Sequence, residues 1–195
     1  MEKSPQVTFN SKSIMRRYAK EYWLEFLRNQ KNCDILLQQF EDFLKKQKKE
    51  RVFAFYPIHY EPPIWYLLDK YFRNIYIPVI DPSNNKMKFS AFKLNESYLE
   101  TKRNFLNILE PIQIIEEIPQ KDDLVIIPSL GTNRHFARLG RGAGYYDRYF
   151  NENKKSLESI KISLLPEKLT NLVFIQENHD LILDIIITEN NIVYK

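Results

Sequence analysis

All four glycines of this 195-residue chain, Gly131, Gly140, Gly142 and Gly144, fall in one stretch directly after the strand-like run Asp123-Leu124-Val125-Ile126-Ile127-Pro128. Glycine is needed where the backbone takes positive φ, or where its amides approach a ligand without a side chain in the way. A chain this poor in glycine that gathers every one of them at one place commits that segment to a specialised loop. Successive N–H groups turned inward form an anion nest, and a helix starting near Gly144 adds the positive end of its dipole. Arg134, His135, Arg138, Arg141 and Arg148 surround the glycines, with Asp147 the one acid among them. Four arginines so close together repel unless an anion joins them, and their planar forks match phosphate oxygens. Residues 131–147 are therefore expected to hold phosphate. The loop is not of the Walker type, since Gly-Lys-Ser/Thr is absent, and Gly140-x-Gly142-x-Gly144 lacks the third spacing of a dinucleotide fingerprint.

The remaining chain predicts an α/β frame. From residue 11 to about 49 apolar residues recur at helical spacing, as in Met15, Tyr18, Tyr22 and Phe26, then Leu36, Phe40 and Phe43; this predicts two amphipathic helices broken at Asn32. Short β-rich runs follow at 51–56, 74–80, 86–92, 124–127, 161–165 and 183–188, with a helix over 62–72 that takes Pro62 and Pro63 into its first turn. Strands alternating with helices predict a mainly parallel, twisted sheet covered on both faces, a three-layer, Rossmann-like arrangement. Residues 77–80 and 87–92, joined by Asp81-Pro82-Ser83-Asn84-Asn85, are the expected antiparallel hairpin. A second small hairpin is expected through Glu189-Asn190-Asn191, with residues 192–194 returning. No repeat or Pro/Ser-rich linker divides the chain, so 1–195 reads as one domain.

Composition narrows the function classes. Apolar runs such as 124–127 fall far short of the roughly 20 residues of a membrane helix, and residues 1–10 carry no apolar signal-peptide core, so a cytoplasmic protein without membrane association is expected. A lone Cys33 makes no internal disulfide, and His59, His135 and His179 are too dispersed for a familiar zinc spacing. The net charge of +4 suits polyanionic substrates as well as weak nucleic-acid affinity. The basic run Lys45, Lys46, Lys48, Lys49 and Arg51 reads as a solvated, dipole-favoured helix end. A nucleic-acid-binding module is the competing class, with a steep salt dependence as its mark.

The segment Arg138-Leu139-Gly140-Arg141-Gly142-Ala143-Gly144-Tyr145-Tyr146-Asp147-Arg148 resembles the signature of the 5-formyltetrahydrofolate cyclo-ligase (methenyltetrahydrofolate synthetase) family. Lys12-Ser13-Ile14-Met15-Arg16 resembles that family's ATP-contacting helix, and on a helix Lys12 and Arg16 share a face. Tyr56-Pro57-Ile58-His59-Tyr60-Glu61 resembles the segment that ends in a folate-binding acid; a carboxylate suits the donor-rich edge of a pterin. Leu109-Glu110-Pro111 resembles a further mark, with Phe105 or Leu106 near an aromatic substrate contact. Asn178-His179-Asp180 and the run from Asp184 to Glu189 resemble the closing pattern. Asn133, Phe136, Ala143 and Pro62 depart from the family's usual residues.

The resemblance implies ATP-dependent cyclisation of 5-formyltetrahydrofolate to 5,10-methenyltetrahydrofolate, by a monomer, with Mg2+ and without nucleic acid. It implies ATP contacts from Lys12, Ser13, Ile14, Met15, Arg16, Arg138, Leu139, Gly140, Arg141, Gly142, Ala143, Gly144, Tyr145 and Tyr146. Arg141 and Arg138 would meet the reacting phosphates. Folate would touch Tyr56, Glu61, Arg141, Gly142, Ala143, Gly144 and Tyr145, and magnesium would sit on Asp147 and Asp184. A member that binds these ligands without turnover is the nearer alternative. The reaction's nucleophiles belong to the substrate, so no catalytic triad or reactive cysteine is required, and Cys33 is expected to be a buried small hydrophobe.

Overall fold

In the computed structural model, which describes residues 11–58, 60–104 and 107–195, the N-terminal periodicity becomes two helices. Helix α1 (Ser11–Arg28) buries Ala19, Trp23 and Phe26, and α2 (Gln30–Leu44) buries Cys33, Leu36, Leu37, Phe40, Phe43 and Leu44. The break lies at Asn29, not Asn32: Asn29 leaves helical geometry and its side chain accepts the Asn32 N–H at 3.3 Å, an N-cap.

Next come β1 (Arg51–Phe53), α3 (Trp65–Tyr71), β2 (Asn74–Asp81), β3 (Lys86–Leu94) and four short strands: β4 (Ser97–Tyr98), β5 (Thr101–Arg103), β6 (Leu109–Pro111) and β7 (Glu116–Glu117). The chain ends with β8 (Leu124–Ile126), β9 (Gly131–Thr132), β10 (Arg138–Leu139), α4 (Tyr145–Glu152), β11 (Ile160–Leu164), β12 (Ile185–Ile187) and β13 (Ile192–Tyr194). Helix α3 starts after both prolines, because Pro63 pushes Pro62 away from helical geometry.

The main sheet runs β13-β12-β11-β8-β1-β2-β3-β4, with β7 also on β3. Its centre, from β12 through β11, β8 and β1 to β2, is parallel. Both expected hairpins are antiparallel, β2 with β3 and β12 with β13. The strands β4 and β7 add further antiparallel pairings to β3 beyond what the sequence pattern indicated. Val52 and Phe53 in β1, and Leu124, Val125 and Ile126 in β8, are all fully buried. Neighbouring residues of a strand face opposite ways, so both faces of the central sheet are covered. On one face, Phe89 of β3 meets Tyr149 of α4 edge-on at 5.2 Å and Phe53 at 5.2 Å.

The topology determines where a ligand can sit. From the centre, β1 leads outward to β2 and β8 leads the other way to β11 and β12, so the winding reverses between β1 and β8. A crevice opens outside the carboxyl ends of strands at such a reversal. The segments leaving those two ends are the one carrying Tyr56 and Glu61 and the glycine-rich one. Trp23 of α1 anchors the latter, its indole N–H donating to the Leu130 carbonyl at 3.2 Å.

Gly131 differs from the other glycines in its role. It lies in β9, buried, and a Cβ there would stand 2.5 Å from Leu172 Cδ1 and 2.7 Å from the Leu169 carbonyl oxygen. It permits close packing and does not face the crevice. Gly131→Ala is therefore expected to cost about 1 to 3 kcal/mol through overpacking, read as a lower urea midpoint; a variant as stable as the parent would contradict this packing.

Candidate active site

The segment after β8 first makes the β9–β10 hairpin. Asn133 closes its turn, the side-chain Oδ1 accepting the His135 and Ala137 N–H groups at 2.9 and 3.0 Å. Phe136 there adopts φ 64, a left-handed geometry that favours glycine. The chain then turns through Gly140 to Gly144, with Gly142 at φ 112, and enters α4.

Beneath this loop lies an ion pair. Arg138, 5% exposed, donates to the Pro128 carbonyl at 3.0 Å and to Asp147 Oδ2 at 2.7 Å. Asp147 Oδ1 accepts the Leu181 N–H at 3.1 Å. One carboxylate in the first turn of α4 thus ties the loop to the segment leading into β12. Arg148 secures the loop from the other side, donating to the Ala143 carbonyl at 2.8 Å and to the Asn85 side chain at 2.9 Å in the β2–β3 turn.

Two cavities flank the loop. The first, of about 540 Å³, is polar and is bounded by Gly140, Gly142, Ala143 and Gly144. Its charged lining consists of Lys12, Arg16, Arg138 and Arg148 set against Asp147, Glu152, Glu177 and Asp180. Lys12 Nζ reaches both Asp180 oxygens at 2.8 Å and also Glu177. Burial works against its charge, yet these two acids hold the Lys12 ammonium above its ordinary pKa. Arg16 donates to the Gly140 carbonyl at 2.9 Å. Ligand atoms of Glu177, His179 and Asp180 lie within 4.8 Å of one another.

The second cavity, of about 150 Å³, is apolar. Phe55, Tyr56, Ile80, Met87, Tyr145 and Tyr146 contribute to its walls. Arg138 and Arg141 also line it, with one carboxylate, Glu61, whose side chain is only 7% exposed and accepts Arg141 Nη2 at 2.7 Å and the Ile58 N–H at 2.8 Å. Burial pushes the Glu61 carboxyl up to about 7 from 4.5, with Arg141 and the Ile58 amide opposing. Arg138, Ala143 and Gly144 line both cavities.

Several expected site residues converge here and others do not. Lys12, Arg16, Arg138, Leu139, Gly140, Gly142, Ala143, Gly144 and Asp147 line the polar cavity; Ser13 opens onto a neighbouring groove, and Ile14 and Met15 line neither cavity. Arg141, Tyr145 and Tyr146 line the apolar cavity with Tyr56 and Glu61. Asp184 opens onto a separate depression, where it pairs with Lys161 at 2.6 Å and accepts the Lys161 N–H, so the expected Asp147–Asp184 pair does not face one cavity. Arg134 and His135 lie in another shallow depression. The repulsion among arginines is relieved by protein acceptors: Asp147 for Arg138, Glu61 for Arg141 and Asn85 with Ala143 for Arg148. Phe105, Leu106 and His59 lie outside the described residues. Glu110 is buried and accepts the Ile80 N–H at 3.0 Å and the Asn104 amide at 2.7 Å, which gives it a bracing role beside the apolar cavity. Ile80, Met87 and Ile108 of that cavity carry no signal in the sequence, since each reads as an ordinary core residue.

Fold and crevice together define an α/β protein with a polar, glycine-edged cavity and an apolar, carboxylate-bearing one across a shared loop. Residues 10–189 match the 5-formyltetrahydrofolate cyclo-ligase family, and the chain belongs to it. Over 139 residues it is 27% identical to the mitochondrial 5-formyltetrahydrofolate cyclo-ligase of Arabidopsis thaliana, a match covering 62% of this chain and 49% of that protein. The chain thus spans about half the length of that relative. The fold is similar to two solved 5,10-methenyltetrahydrofolate synthetases. For the one from Aquifex aeolicus the TM-score is 0.74 at 19% identity, over 94% of this chain and 92% of that one. For the one from Mycoplasma pneumoniae it is 0.68 at 20% identity, over 91% and 98%.

Because Asp147 braces a buried arginine, Asp147→Asn is expected to destabilise the fold as well as alter the site. Leaving Arg138 without its counter-charge should cost about 3 to 5 kcal/mol, measured by chemical denaturation; an unchanged midpoint would show that the pair does not brace the loop.

Proposed function

We propose that this chain catalyses the ATP-dependent cyclisation of 5-formyltetrahydrofolate to 5,10-methenyltetrahydrofolate, releasing ADP and phosphate. The observation that carries this reading is the shared wall of Arg138, Ala143 and Gly144, which lets a polyphosphate in one cavity meet a flat heterocycle in the other. The formyl oxygen attacks the γ-phosphorus as ADP leaves; N10 then attacks the iminium carbon, and phosphate departs with loss of the N10 proton. The nucleophiles are the substrate's own. The protein aligns the formyl oxygen with the phosphorus and neutralises charge during transfer. Arg138 and Arg141 serve the transferring group, the backbone from Gly140 to Gly144 holds the phosphates, and Tyr56 and Tyr145 pack on the folate ring.

The charge balance of the polar cavity fits a divalent cation beside the phosphates. Its four cationic and four anionic side chains leave no surplus to neutralise a free polyphosphate. Carboxylates and phosphate oxygens are suitable donors for magnesium, and Asp147, Glu177 and Asp180 are the acids of this cavity that would hold it. When bound, the ion supplies charge neutralisation at the phosphates.

Both cavities are built on one loop, so a single protomer holding one catalytic domain suffices. Among the described residues no helix is long and apolar enough to cross a membrane. Cys33 is buried and unpaired, which suits a reducing compartment such as the cytoplasm. The nucleic-acid alternative weakens because the ends of its basic run are engaged: Lys45 pairs with Asp42, and Arg51 with Asp123 through two contacts.

Purified protein mixed with 5-formyltetrahydrofolate and MgATP should yield the near-ultraviolet band of the methenyl product. Arg141→Ala should slow this by about two orders of magnitude, as for loss of a main electrostatic contact. No product with excess protein would overturn the enzymatic reading and leave a binder without turnover. A pH dependence also follows from Glu61. Its carboxyl protonates as pH falls through about 7, removing the acceptor pair that a pterin edge requires, so folate affinity should fall below that pH and recover above it. Calorimetric titration at several pH values checks this, with Glu61→Gln expected to flatten the profile; a flat wild-type profile would exclude Glu61 as the pterin acceptor.

A further inference from the structure

Arg141 stands between Gly140 and Gly142, which both line the polar cavity, yet its own side chain lines the apolar one and holds Glu61 there. The backbone turns sharply at this point, with Gly142 at φ 112, and the Arg141 side chain is 35% exposed, so packing does not lock it. Glu61 is the opposite: its side chain is 7% exposed and Oε2 is held by the Ile58 amide. A heterocycle edge that offers two parallel N–H donors needs both carboxylate oxygens. Oε1 is the one Arg141 holds. Folate edge and arginine therefore compete for the same oxygen, while a polyphosphate across the loop competes with Glu61 for the same guanidinium.

Resting on the assignment of the two cavities to polyphosphate and folate, we propose that Arg141 couples the substrates by exchanging partners. The pterin edge takes Glu61, and the released guanidinium turns across the loop to the polyphosphate. A buried carboxylate stripped of its counter-charge is costly, so Arg141 leaves readily only when new donors replace it. A polyphosphate arriving alone must pull Arg141 away and strand Glu61. A folate arriving alone must displace a guanidinium that has no anion to receive it. Each ligand thus meets a cost that the two together avoid, and the resulting linkage is reciprocal by thermodynamic necessity.

Isothermal titration calorimetry on the full chain tests this, using a non-hydrolysable ATP analogue with magnesium and 5-formyltetrahydrofolate, each alone and with the other at saturation. Each ligand should tighten the other by the same factor, about 5-fold or more. Glu61→Leu, which removes the carboxylate and leaves an apolar wall, should release Arg141 and bind the ATP analogue about 5-fold tighter than the wild type does without folate. Arg141→Ala should abolish the linkage. Independent binding of the two ligands to the wild type overturns the proposal whether or not either variant folds, and so does weaker analogue binding by a folded Glu61→Leu. A wild type that binds neither ligand overturns the cyclo-ligase reading itself and the coupling with it.

Discussion

The buried pair between Arg138 and Asp147 is the interaction on which the rest of the site depends. Arg138 is held almost out of solvent by Asp147 and the Pro128 carbonyl, and Asp147 in turn receives the Leu181 amide. Three segments distant in sequence are therefore tied at one point: the end of β8, the start of α4 and the approach to β12. Taking two charges out of water is expensive, and such a pair adds little to stability over an apolar replacement. Its value is positional. It holds the glycine-rich backbone in place above the sheet, where Gly142 and Gly144 adopt positive φ.

The sheet supplies the place for that loop. Strands β1 and β8 are buried on both faces and are neighbours, yet the chain leaves them in opposite directions across the sheet. No crossover helix can cover the gap between their carboxyl ends, and the two departing segments form its walls. One wall brings an aromatic and a carboxylate; the other brings glycines and arginines. The glycine-rich loop borders both cavities, and what differs is the opposite wall: α1 and residues 177–180 make one polar, whereas Phe55, Tyr56, Ile80 and Met87 make the other apolar.

Long elements were legible in the sequence because their periodicity and burial coincide. Residues 74–80 and 86–92 are β-rich runs joined by the turn residues 81–85, and α1 and α2 carry apolar residues at helical spacing; all appear within a few residues of expectation. The strands that escaped notice are two or three residues long, too short to imprint a period; β5 (Thr101–Arg103) is also polar and largely exposed, whereas β9 and β10 are buried. At the site, residue type pointed to the loop that borders both cavities but misjudged how its charges are settled. Clustered arginines suggested that an anion must reconcile them, whereas Asp147 within the segment, and Glu61 and Asn85 from elsewhere in the fold, already accept from them. Glu177, another acid of the polar cavity, carried no signal because it lies some 30 residues past the loop, and Asp180 was legible only through the resemblance of Asn178-His179-Asp180 to the closing pattern. Clustered glycines likewise suggested one shared purpose, but Gly131 serves packing against Leu172.

The positions where this chain departs from its family's pattern bear on whether the site is competent. Asn133 and Phe136 both sit in the β9–β10 turn and line neither cavity flanking the glycine loop. Asn133 accepts two backbone amides through one oxygen, a role an aspartate fills equally well. Phe136 holds a left-handed geometry that costs a non-glycine residue roughly 1 to 2 kcal/mol, and its ring, partly buried against the core, offsets part of that. Pro62 follows Glu61 but contributes to neither wall, and it precedes the start of α3. Ala143 does line both cavities, yet it does so with a single methyl group and with a carbonyl that anchors Arg148. Asn133, Phe136 and Pro62 therefore fall outside both cavities, and of the four departures Ala143 alone lines them.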